Sequence, residues 1–92
     1  MEILKKILLS VALTLTATTM FSQNYQKLEA AFKTSYEQEV KGEYTRAIET
    51  LKAVYDENSY EINLRLGWLE YIAGQFSESM PYYQKCITLK PL

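Results

Sequence analysis

The chain has 92 residues, 10 lysines and arginines against 11 acidic residues, and a formal net charge of −1. That size bounds it to one small domain, and the balanced, interspersed charge gives no electrostatic reason to expect nucleic acid or an anionic membrane as partner. It has no histidine and one cysteine, Cys86, so it lacks the commonest general base, any intramolecular disulfide and any cysteine–histidine metal set.

Residues 1–22 have the layout of a secretory signal. Lys5 and Lys6 stand beside the amino terminus, Ile7–Ala17 (ILLSVALTLTA) is uncharged and mostly apolar, and a more polar stretch runs from Thr18 to Ser22. The uncharged run Ile7–Phe21 covers 15 residues, short of the about 18 that a spanning helix needs. The expectation is cleavage after Ser22, no stable membrane span after cleavage, and a mature chain that is exported, periplasmic or secreted. An uncleaved anchor and a buried first helix are the alternatives. The β-branched Thr14, Thr16, Thr18 and Thr19 count against the helix.

Apolar residues recur at helical spacing through the remainder, 23–92. Leu28, Ala31, Phe32, Ser35, Tyr36 and Val40 form one such set, and Ala47, Ile48, Leu51, Val54 and Tyr55 a second. Leu64, Leu66, Gly67, Leu69 and Tyr71 begin a third, and Met80, Tyr83, Cys86, Ile87 and Leu89 mark a fourth. The pattern predicts an all-α chain with helices near 24–41, 44–56, 60–73 and 77–90. Gly42 and Gly74 end helices, Asn58 or Ser59 caps the third with Glu61 in capping-box position, Ser77 caps the fourth, and Pro81 falls in or just past its first turn.

The chain also repeats itself. Gly42 and Gly74 lie 32 residues apart, and at that offset Tyr44 meets Phe76, Ala47 meets Ser79, Ile48 meets Met80, Leu51 meets Tyr83 and Val54 meets Cys86. Small Gly67, Ala47, Ser79 and Cys86 are expected to let helices approach, with Tyr44, Phe76, Leu51 and Tyr83 filling the space between them. Cys86 then reads as a small core residue rather than a reactive thiol. Glu37, Glu39, Glu43 and Glu49 read as a solvated charged face rather than as catalytic carboxylates.

The segment YEINLRLGWLEYIAGQFSESMPYYQKCITLKP, Tyr60 to Pro91, resembles a tetratricopeptide repeat at Leu66-Gly67, Tyr71, Gly74, Phe76, Ser79, Tyr83, Cys86 and Pro91. The stretch Leu28–Ser59 resembles a more divergent copy: Gly42, Tyr44, Ala47 and Leu51 are kept, but Thr34-Ser35 replaces the leucine-glycine pair and Ser59 the terminal proline. The resemblance implies two antiparallel helical hairpins, repeat 1 at about 28–59 and repeat 2 at about 60–92, stacked as a short α-solenoid. It also implies a concave face carrying Glu29, Phe32, Lys33, Tyr36 and Glu39 from the first repeat and Glu61, Leu64, Arg65, Trp68 and Tyr71 from the second.

The expected function is that of an exported scaffold that binds a protein or peptide partner, without cofactor, metal or enzymatic activity. Trp68, Tyr36, Arg65, Phe32, Leu64 and Tyr71 are the candidate partner-binding residues, since aromatic residues and arginine dominate interface energetics. Phe32 and Tyr36, and likewise Leu64 and Trp68, stand where the family's carboxylate clamp wants lysine and asparagine. Arg65 is left as the group for a ligand carboxylate. The competing reading is that Phe32, Tyr36 and Trp68 stack on one another as core. Another alternative for the whole is an N-terminal fragment or non-catalytic module of a larger cell-envelope enzyme or secretion complex. Repeat arrays usually need about three units and a capping helix, so Tyr82, Ile87 and part of the last helix are expected to be open to self-association, a partner or further repeats.

Overall fold

The computed structural model describes residues 24–90, and the segment read above as a signal lies outside them. Among the described residues there are four helices and no strand: α1 over 24–40, α2 Tyr44–Lys52, α3 Tyr60–Ile72 and α4 Phe76–Leu89. None is long and apolar enough to cross a membrane.

The two glycine bends are the same structure made twice. Gly42 and Gly74 have φ of 77° and 80°, a left-handed conformation in which an L side chain is strained. Gly42 N–H donates to Glu39 C=O (2.9 Å) and Glu43 N–H to Gln38 C=O (2.9 Å). Thirty-two residues on, Gly74 N–H donates to Tyr71 C=O (3.0 Å) and Gln75 N–H to Glu70 C=O (2.8 Å). Each is the paired bond of a Schellman motif, which satisfies carbonyls a helix end would otherwise orphan.

The core joins α2 to α3. Ala47, Ile48 and Leu51 of α2 meet Ile62, Leu66 and Leu69 of α3, all buried, with Leu28 and Phe32 of α1 and Tyr82 of α4 packed on the cluster. Burying each large aliphatic side chain contributes about 1.5–3 kcal/mol before entropy is counted. α3 packs against both α2 and α4 and is buried around most of its circumference. On the α4 side the approach is set by Gly67: a Cβ there would lie 3.0 Å from two ring carbons of Tyr83. The buried Ser79 hydroxyl donates to the Gly67 carbonyl at 2.8 Å across the same crossing. Cys86 is buried on the same face, with its thiol 3.7 Å from the Tyr60 carbonyl.

Several expectations are corrected. α2 stops at Lys52 rather than near 56, because the Val54 and Tyr55 N–H groups close four-residue turns onto the Leu51 and Lys52 carbonyls, and the Asp56 carboxylate accepts from the Asn58 N–H at 2.9 Å. Ser59, not Asn58, caps α3, its hydroxyl accepting from the Ile62 N–H at 3.2 Å. Glu61 therefore falls one residue short of the capping-box position. α4 begins at Phe76 behind Gln75, so Ser77 is not its cap, and Pro81 sits in the second turn, leaving the Ser77 carbonyl without its helical donor. Phe76 is exposed rather than a core filler, and so are Tyr36 and Val40 of the first apolar set. Tyr82, expected open, is half-buried and meets the Tyr55 ring edge-on.

Candidate functional site

Three of the exposed aromatic residues, Tyr25, Tyr36 and Trp68, border a depression between α1 and α3. Phe32, Tyr36, Glu61, Leu64, Arg65 and Trp68 line a groove of about 400 Å³. It continues past Phe32 and Glu61 into a second depression of about 340 Å³ bordered by Tyr25, Leu28 and Glu29. Helical spacing explains why these residues converge: 32 and 36 on α1, and 61, 64, 65 and 68 on α3, each recur at three- or four-residue steps along one face.

Glu39 organises the groove. One of its carboxylate oxygens accepts from Arg65 Nη1 at 3.2 Å and from the Trp68 indole N–H at 2.9 Å. The Arg65 guanidinium lies over the Tyr36 ring, 3.9 Å from its centroid. Arg65 is only 8% exposed, and its charge is compensated within the protein. Trp68 is held by its N–H but is 45% exposed, so the ring itself faces outward.

Five of the six candidate residues, Phe32, Tyr36, Leu64, Arg65 and Trp68, come together in this groove. Tyr71 does not line it. It stacks on Trp68 (centroids 6.3 Å apart) and meets Phe76 edge-on (5.3 Å), extending an aromatic strip away from the groove onto α4. Phe32 is half-buried against the core and serves both roles. The three-ring stack of Phe32, Tyr36 and Trp68 is replaced by a guanidinium on Tyr36 and a tyrosine on Trp68.

Two sequence readings fail here. Arg65 is not free for a ligand carboxylate, because it is buried and paired. Glu39 is not part of a solvated acidic face, because it is half-buried and accepts two hydrogen bonds. The signal available in the sequence was Arg65 itself: an arginine within LRLGWL, mostly apolar, has to find an anion when it is buried. Asn63 was also missed. It is fully buried, accepts from the Tyr55 hydroxyl at 2.8 Å and donates to the Ser59 and Glu57 carbonyls at 2.8 and 3.2 Å, tying the 53–59 loop to α3.

A larger cavity of about 470 Å³ lies between the start of α1 and that loop, bordered by Lys27, Tyr55 and Asp56 among others. The Tyr55 hydroxyl there is already bonded to Asn63, whereas Tyr36 and Trp68 line the α1–α3 groove with exposed rings. No family model, curated protein or solved structure matches this chain.

Proposed function

We propose that this chain is an exported, non-enzymatic scaffold of tetratricopeptide type that holds a peptide or protein segment in the groove between α1 and α3. The observation that carries this reading is the pinned, half-exposed Trp68 ring beside Tyr36 and Leu64. Preorganised aromatic groups of this kind bind with little further ordering cost. The repeated Schellman bend at a spacing of 32 residues and the glycine-mediated crossing at Gly67 support the repeat reading. The signal-like layout of residues 1–22 supports export to the periplasm or medium.

The test compares the wild-type chain with Trp68→Ala. The expected result is an unchanged helical spectrum with loss of partner capture from envelope extract. Loss of the fold would make Trp68 a structural residue and remove the basis of the proposal. Export is checked separately by mass spectrometry of the exported chain, where an intact Met1 would contradict cleavage.

A second reading, a non-catalytic module of a larger envelope enzyme or secretion assembly, is favoured by α4. Its Phe76, Met80 and Ile87 form an outward apolar stripe at helical spacing. The positions 32 residues earlier are Tyr44, Ile48 and Tyr55, and there Ile48 is 5% exposed where Met80 is 63%. At Ile48 the equivalent surface is covered by α3.

A further inference from the structure

We infer that the groove selects a cationic, apolar peptide segment, one that alternates lysine or arginine with leucine or aromatic residues. This rests on the scaffold reading above and adds the chemistry of the partner.

The charge the groove offers to a ligand is negative. Its one lining cation, Arg65, is covered by Tyr36 and neutralised by Glu39. The carboxylates that border it, Glu29 and Glu61, are exposed, and neither forms a salt bridge with a described residue. Lys27 and Lys33, the lysines that flank Glu29 on α1, line neither part of the groove, although Lys27 borders the adjoining cavity. A ligand carboxylate would therefore meet Glu29 and Glu61 without a free counter-charge, whereas a ligand cation would be attracted at both ends.

The apolar lining suits the same ligand. The Trp68 indole N–H is occupied by Glu39 and one ring face stacks on Tyr71, so what Trp68 still exposes is apolar ring surface, and tryptophan is the best aromatic surface for a lysine or arginine head group. The stems of those side chains and neighbouring leucines can lie on Leu64 and Phe32. Arg65 supplies an independent pointer. It is more than nine-tenths buried, lines the groove, and its Nε and Nη2 have no hydrogen-bond partner. Neutral acceptors such as peptide carbonyls match those donors in kind and bring no charge for the two carboxylates to repel.

The experiment uses the full chain and the fluorescence of its one tryptophan, Trp68. Three synthetic peptides of equal length are titrated: leucine and phenylalanine alternating with lysine, with glutamate, and with glutamine. The lysine peptide is expected to bind most tightly, about 10-fold better than the glutamine peptide, as two exposed charge pairs would give. That advantage is expected to shrink in high salt, and in Glu61→Gln and Glu29→Gln, whose folding is checked by circular dichroism. Equal binding of all three peptides, or tighter binding of the glutamate peptide, would overturn the cationic preference while leaving the groove as a binding site. No response to any of them, with no competition against a captured partner, would remove the groove reading and this inference together.

Discussion

Glu39 shows how far a single side chain can be from what its surroundings in sequence announce. It stands in a run of polar residues on α1, yet its partners are 26 and 29 positions away on α3. Removing it strands Arg65 in a site too buried to solvate a lone cation. Glu39→Ala should therefore cost about 2–4 kcal/mol, toward the lower end of a broken buried pair because Glu39 itself is partly exposed. Chemical denaturation measures it, and a loss no larger than that of an exposed surface glutamate would contradict the pairing. Burial raises the ionisation of the Cys86 thiol above its ordinary 9.0 and, less directly, Glu61 raises it further. Burial is likewise the first cause for the Tyr83 and Tyr55 hydroxyls, which are raised above 10.0. All three bind their protons more tightly folded than unfolded. Their contribution to stability is complete below pH 9 and is lost as pH rises through 9 to 10 and beyond. Urea midpoints should thus be flat near neutrality and fall on the alkaline side. A midpoint rising above pH 9 would contradict the tighter proton binding of these groups in the folded chain.

At the scale of helices and bends, what was legible depended on how local the cause was. Glycine at positive φ is a local requirement, and both bends fall where Gly42 and Gly74 predicted them. Four helices with apolar faces were legible from periodicity for the same reason. The end of α2 was not, because the Tyr55–Asn63 bond and the Asp56 turn that set it depend on a loop folding back onto α3. The start of α4 was misread because the Schellman motif at Gly74 delivers the chain directly into a helix, with no side-chain cap at Gln75. In the groove, the aromatic lining was legible from spacing, but the employment of Arg65 was not, since pairing across two helices leaves no spacing rule to read. The tight crossing gives a further prediction. Gly67→Leu should destabilise by about 1–3 kcal/mol or more by driving into Tyr83. Gly42→Ala meets no atom within 4 Å and should destabilise by only about 1 kcal/mol, the backbone strain of its positive φ. Denaturation of the two variants side by side checks the ranking, and Gly67→Leu being the milder would contradict the packing.

At the scale of the whole molecule, α1 and α4 present different faces. The inward face of α3 carries Ile62, Leu66 and Leu69, whereas the positions 32 residues earlier on α1 are Ala30, Thr34 and Glu37, all exposed. That face of α1 thus lacks large apolar side chains, whereas α4 carries Phe76, Met80 and Ile87 outward. Head-to-tail pairing of α4 onto a second copy's α1 would set apolar residues against a glutamate. Self-association, where it occurs, should run through α4 alone and stop at a dimer. Sedimentation at increasing concentration should show at most a monomer–dimer equilibrium, abolished by Ile87→Glu with the helical spectrum intact. Open-ended oligomers would contradict it.

Acrylamide quenching of Trp68 fluorescence, with and without saturating lysine–leucine–phenylalanine peptide, reads the central claim at its own residue. The indole should be readily quenched in the free chain, as its exposed ring requires, and shielded severalfold once the peptide is bound. An indole already protected in the free chain, or one equally quenched in the presence of every peptide, would contradict a groove built to hold a ligand.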